Sequence, residues 1–208
     1  MDLERTEEVP WKICSVISDK VGTLAISRAR TAGIPSYEAR FGSLSDFEDY
    51  ATEVIARNGC DYVCLLGFRS ILSKNFVSKW AEKIINTHPS LLPSFKGLNT
   101  HQKALDSRVK IHGCSVHEVT EKLDQGPIVV QGVVPVLPGD DVEILRERVD
   151  RMALICLPHA LRIEAARLGS GGALAPDAMQ RLVVHPALGE YFADDHSSAP
   201  ERGSAAID

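Results

Sequence analysis

The chain lacks any apolar run approaching the roughly 20 residues that a membrane-spanning helix requires. No secretory leader is expected either, since the first ten residues, MDLERTEEVP, are acidic and polar, with no apolar centre. These absences predict a soluble, cytoplasmic protein with no membrane partner. There is no block of basic residues, and the net charge of −5 argues against a nucleic-acid surface. Cysteine is present at five positions, Cys14, Cys60, Cys64, Cys114 and Cys156, an odd number with no second pair to complete a zinc site. Most of them lie inside apolar runs, where a thiol behaves as a small buried hydrophobe. The expectation is free core thiols in a reducing compartment and no metal. No internal repeat is visible.

What is present suits one globular domain. A length of 208 residues can bury a sizeable core, and 44% hydrophobic with 25% charged residues is an ordinary globular balance. We expect a polar extension over 1–10, a folded domain over 11–188 and a disordered, small-residue tail over 189–208. Within the domain, WKICSVISD (11–19) reads as a strand and 21–35 as a helix stopped by Gly33. The stretch 45–59 reads as a helix with Ser45 as N-cap and Glu48 closing a capping box. DYVCLLGF (61–68) reads as a strand buried on both faces, 73–83 as a short helix and IINTH (84–88) as a further buried strand.

Strand and helix therefore alternate through the first half, which predicts an α/β fold with a doubly wound, mostly parallel sheet. The second half is richer in strand, at 114–119 and 127–136, before a long helical pattern over 140–169. Its apolar stripe is Val142, Leu145, Val149, Met152 and Cys156, and Pro158 is expected to kink it or divide it.

In such sheets ligands bind beyond the carboxyl ends of the strands. Asn86 and His88 fall at such an end, two apart, so they project to the same side of a straight strand. A Pro- and Gly-rich connection follows them. An amide donor beside an imidazole suits a developing oxyanion. Asp124, in TEKLDQGPIV, is placed to be partly desolvated before a strand, where it could orient a histidine or move a proton through water. Each residue also has a plain structural reading: a turn-forming Asn, a satisfied His before Pro, and a loop carboxylate accepting backbone N–H groups. His101 and His112 are read as facing solvent, and KALDSRVK (103–110) as a helix and turn with solvated charges.

The stretches NTHPSLLPSFKGLNTHQKAL, HGCSVHEVTEKLDQGPIVVQ and LLGFRSILS resemble the phosphoribosylglycinamide formyltransferases of purine synthesis, from about residue 11 to about residue 160. The resemblance implies the formyltransferase fold. It also implies a transferase of one-carbon metabolism that passes the formyl group of 10-formyltetrahydrofolate to a small-molecule amine. Asn86, His88 and Asp124 would be catalytic. Phe68, Ile71 and Leu72 would wall the pteridine pocket, and the backbone of Val119, Thr120, Glu121, Lys122 and Leu123 would read the pterin edge. Gly67, Pro89, Ser115 and His117 would contact substrate, and residues 89–112 would form a lid. No metal is implied, and the oligomeric state is left open.

The pattern also departs from the family. The family's opening strand, glycine-rich phosphate loop and helix have no counterpart here, so the sheet is expected to lack its first, central strand. In the late helix Ala153 and Leu154 stand where the family has Glu-His, Asp150 stands at its Gln, and Ser70 replaces a frequent Arg. Three alternatives follow: a different acceptor amine, hydrolysis of the formyl donor, or an inactive folate-binding relative.

Overall fold

The structure, a computed structural model, describes residues 11–169 and 181–184. In chain order the elements are β1 (Val16–Ser18), α1 (Leu24–Thr31), β2 (Ser36–Glu38), α2 (Leu44–Arg57), β3 (Val63–Leu65) and α3 (Lys74–Lys79). They continue with β4 (Ile84–His88), α4 (Thr100–Asp106), β5 (Ile111–Glu118), β6 (Ile128–Pro135), α5 (Val142–Gly169) and β7 (Arg181–Val184). The expected α/β alternation is present. The polar extension 1–10 and the tail 189–208 lie outside the described residues.

The strands form two sheets, β1-β2 and β3-β4-β5-β6-β7. β1 pairs parallel with β2, and β3 parallel with β4. β5 runs antiparallel to both β4 and β6, and β7 parallel to β6. The break falls between the first strand and the strand after α2, where the sequence predicts a missing neighbour. β1 and β3 still share one apolar cluster: Ile17 packs with Val63 and Leu65 around Ala51, Ile55, Phe76 and Ile84. Ser15 Oγ lies 3.5 Å from Cys60 Sγ beside them.

The sheet is covered on both faces, and β4 shows how. Successive side chains of a strand point to opposite faces. Ile84 enters the cluster under α2 and α3, while Ile85 enters a second cluster with Val116, Val130, Val134 and the α5 stripe. Leu145, Val149, Met152 and Cys156 are fully buried in that second cluster, as their spacing predicts, and Val142 is half-buried. Gly132 lets α5 approach closely: a Cβ there would sit 2.3 Å from Met152 Cγ and 2.5 Å from Cys156 Sγ.

Four local expectations need correction. The N-cap of α2 is Ser43, whose hydroxyl accepts from Asp46 N–H, so the helix starts before Ser45. Glu48 closes no capping box. Its carboxylate turns to α3 and accepts from the N–H (2.6 Å) and hydroxyl (2.5 Å) of Ser73. β3 is not buried on both faces, since Cys64 is exposed on a strand that, among the described residues, has a neighbour on one side only. Of the two outcomes expected at Pro158, a kink or a division, division does not occur: α5 is continuous with the proline inside it. The packed stripe runs on past Pro158 through Ala160 and Ile163, and this burial outweighs the hydrogen bond a proline cannot donate.

Candidate active site

The register of the strands assembles the site. Asn86 on β4 stands opposite His117 on β5, and His88 stands opposite Ser115, which in turn stands opposite Gln131 on β6. Cross-strand partners project to the same face. Two polar rows therefore lie side by side at the carboxyl end of β4: Asn86–His117 and His88–Ser115–Gln131. Both Asn86 and His88 share the face of Ile84, as their spacing predicts.

Asp124 comes to these rows from the β5–β6 connection. Its Oδ2 lies 3.5 Å from His88 Nδ1 and its Oδ1 lies 3.8 Å from His117 Nε2. His88 and Asp124 are 6% and 8% exposed, so the contact is shielded from bulk water. Asp124 adopts φ of +50°, a left-handed conformation that Asp tolerates better than most residues. Nearby Gly126 permits the fold-back. A Cβ at Gly126 would lie 1.8 Å from the Glu118 carbonyl oxygen, so the segment can return against β5 only without a side chain.

The hydrogen bonds fix the histidine tautomers. His117 Nδ1 is 2.8 Å from the Glu118 carbonyl, which can only accept, so Nδ1 carries the proton. Nε2 of the neutral ring then accepts from Asn86 Nδ2 at 3.3 Å. Burial pushes the His117 pKa below its ordinary value, against the opposing pull of the Glu118 carbonyl and the Asp124 carboxylate. The neutral ring therefore orients the Asn86 amide. His88 Nε2 lies 3.2 Å from the Phe95 carbonyl and donates to it. Its Nδ1 faces the Asp124 carboxylate.

The connection after β4 closes over this cluster. Gly97 N–H donates to Asp124 Oδ2 at 2.9 Å. A cavity of about 220 Å³, lined by Leu92, Pro93, Lys96, Asp124, Gln125, Gly126 and Ile128, opens beside the carboxylate. The expected lid segment is thus a loop over 89–99, then α4, then the first residues of β5. His112 corrects an expectation: it is 1% exposed rather than solvent-facing, and packs edge-on against Phe95 and His101. Burial lowers its pKa to about 4, and burial also lowers that of His101, which is half-buried.

The other expected site residues divide into groups. Phe68 stacks on Phe47 with centroids 5.4 Å apart, and Leu72 and Val119 pack against the cluster under α2 and α3. Ile71, Thr120, Glu121, Lys122 and Leu123 are exposed around them. Gly67 is exposed with φ of +65°, and Pro89 is half-buried after His88. Ser115 is fully buried, and its hydroxyl is engaged by the loop above it. On α5, Ala153 packs into the core and Leu154 is 68% exposed, so neither offers a polar group to a ligand. Sequence reasoning missed the Phe95 carbonyl, the Gly97 N–H and Gln131. Backbone groups leave no mark in a sequence, but Gln131 did: it is the one amide in the apolar run PIVVQGVVPV.

An amide, an imidazole pair and a carboxylate at the rim of an α/β sheet form a site able to stabilise an oxyanion and move a proton. Residues 1–161 match the formyl transferase family. The chain belongs to that family. It is 39% identical to phosphoribosylglycinamide formyltransferase of Escherichia coli over 152 residues, covering 72% of each chain. It is 42% identical to the trifunctional purine biosynthetic protein adenosine-3 of Gallus gallus over 158 residues, 74% of this chain but 16% of that protein. The chain thus spans about a sixth of the length of such trifunctional relatives. Among solved structures, phosphoribosylglycinamide formyltransferase from Anaplasma phagocytophilum superposes with a TM-score of 0.76 at 35% identity, covering 86% of this chain and 87% of that one. The formyltransferase fold expected from the sequence is thereby shown. No helix among the described residues is long and apolar enough to cross a membrane.

Proposed function

We propose that the protein transfers the formyl group of 10-formyltetrahydrofolate to an amine, with 5′-phosphoribosylglycinamide as the acceptor, in purine synthesis. The observation that carries this reading is the convergence of Asn86, His88 and Asp124, distant in the chain, around one point at the end of β4. Family membership supports the class of reaction, and the identity of the Escherichia coli and Anaplasma relatives as phosphoribosylglycinamide formyltransferases supports the acceptor.

Each residue then has a role. The acceptor nitrogen attacks the formyl carbon, and the carbonyl electron pair moves onto oxygen. Asn86, its amide aimed by His117, donates an N–H to that oxygen. His88 donates from the same side, exchanging its present bond to the Phe95 carbonyl for one to the substrate. Asp124 holds His88 and passes the proton leaving the acceptor nitrogen through water to the departing folate nitrogen. The C–N bond to folate then breaks, giving the formylated amine and tetrahydrofolate. Preorganised donors of this kind each contribute about 2.7–4 kcal/mol to barrier lowering.

For the folate, Phe68, Ile71 and Leu72 supply apolar surface, and the backbone of Val119, Thr120, Glu121, Lys122 and Leu123 supplies donors and acceptors for the pterin edge. Gly67, Pro89, Ser115 and His117 complete the substrate side, Ser115 through the loop it holds. Hydrolysis of the same donor is the second reading, favoured by Ala153 and Leu154, which give an amine acceptor no polar contact. Release of tetrahydrofolate, followed with and without 5′-phosphoribosylglycinamide, separates the two. Acceptor-dependent release is expected. Release at one rate under both conditions supports hydrolysis, and no release points to folate binding alone.

A further inference from the structure

The loop that covers His88 is anchored by a buried polar clamp in which Gln131, so far without a role, joins Ser115. Ser115 Oγ accepts from Leu92 N–H at 3.0 Å and donates to the Ser90 carbonyl at 2.7 Å. Gln131 Nε2 donates to Ser115 Oγ at 2.9 Å and to the Leu92 carbonyl at 3.0 Å. Ser90 Oγ continues the network to the Ser94 carbonyl at 2.6 Å. Ser90 and Ser115 are both fully buried.

The hydroxyl of Ser115 is fully satisfied. A hydroxyl has one proton and two lone pairs, and Ser115 uses all three. Both amide protons of Gln131 are directed to oxygens of this network. The clamp therefore has one low-energy arrangement, and it fixes residues 90–94 to β5 and β6. The next residues of the chain are Phe95, whose carbonyl takes His88 Nε2, and Gly97, whose N–H takes Asp124 Oδ2. His88, Ser115 and Gln131 also occupy one cross-strand row, so the clamp and the imidazole share a rigid base.

We infer that Gln131 is a positioning residue for the reaction. By donating to Leu92 and Ser115 it sets where the Phe95 carbonyl and Gly97 N–H arrive, and so fixes the tautomer and orientation of the His88–Asp124 pair. Gln131 touches no substrate in this account. It acts through the loop, and its place in turnover rests on the formyl-transfer reading given above.

Two variants separate hydrogen-bond donation from packing. Gln131→Leu keeps most of the side-chain volume and removes both donors. Gln131→Glu keeps the shape, but its carboxylate only accepts, and it regains one donor when protonated. The expected result is a kcat lowered about tenfold in both variants at pH 8, the scale of one misplaced hydrogen bond, with KM for the folate little changed. Gln131→Glu should recover part of this loss at pH 6, relative to wild type at the same pH, and Gln131→Leu should not. A raised KM with unchanged kcat, or equal kcat for all three proteins, overturns the inference.

A readout independent of catalysis uses NMR of the proteins without ligand. In wild type the Leu92 and Gly97 amides should be protected from hydrogen exchange, and the His88 ring should show a proton on Nε2. In Gln131→Leu both amides should lose protection by about tenfold or more and the His88 signals should shift. Unprotected amides in wild type, or protection and His88 signals unchanged in the variant, overturn the inference even if the protein proves to have another activity. If the variants do not fold, the wild-type exchange measurement still decides. If wild type shows the clamp by NMR yet no acceptor-dependent turnover, it is the formyl-transfer reading that fails.

Discussion

At the scale of the residue, three groups carry the proposed chemistry and one buried ring sets the acid limit. His88→Ala and Asp124→Asn should each lower kcat by about 10²-fold or more. The double variant should be little slower than the worse single one, because residues acting as a unit are non-additive. Steady-state kinetics of the three variants test this, and fully multiplicative losses would separate the two residues. His112 concerns stability instead. Its ring is almost fully buried, and burial lowers its pKa to about 4 from 6.5. Above about pH 6.5 the ring is neutral in both folded and unfolded chains, and no penalty exists. As the pH falls toward 4 the unfolded chain takes up a proton that the folded one refuses, and stability drops by roughly 3 kcal/mol at most. Urea unfolding between pH 7 and pH 4 should show this loss, and His112→Leu should flatten it.

At the scale of the element, the end of β4 and the return of the β5–β6 connection decide the geometry. Gly126→Ala places a methyl 1.8 Å from the Glu118 carbonyl carbon's oxygen, which cannot yield without moving β5 or the segment holding Asp124. A loss of about 1–3 kcal/mol in unfolding free energy, with a fall in turnover larger than stability alone explains, is the expected outcome. Unfolding and kinetics on the same preparation check it. This scale also shows what was legible in advance. The strand 84–88 was readable to the residue, since the apolar pair Ile84-Ile85 runs directly into Asn86 and His88 before Pro89. The stripe of α5 was readable because its burial follows the helical period. The start of α2 was misread: Ser45 and Glu48 fit a local capping pattern, while Glu48 in fact bonds Ser73, a contact 25 positions away. His112 was misread because nothing in its own neighbourhood of sequence announces the Phe95 and His101 rings that cover it. Asn86, His88 and Asp124 were legible as candidates, but the backbone groups that hold them were not.

At the scale of the whole molecule, the division of the sheet is the main structural consequence of the sequence. Among the described residues β1 and β3 each present one unpaired edge, and exposed edges invite association. Leu66 and Leu24 add apolar surface at 60% and 64% exposure. The chain should therefore unfold below about 45 °C, under the usual mesophile range, and associate as its concentration rises. Calorimetry together with light scattering tests this, and a sharp transition well above that range in a monodisperse monomer would contradict it. The substrate side belongs to this scale too, since Ala153 and Leu154 lie on α5, away in sequence from the residues of the β4 end. The proposed chemistry nevertheless centres on one carboxylate beside one imidazole. Its most direct test is the single-turnover rate of tetrahydrofolate release by Asp124→Asn, with folate affinity measured in parallel. A rate at least about 10²-fold below wild type at unchanged affinity is predicted; a wild-type rate would contradict the account.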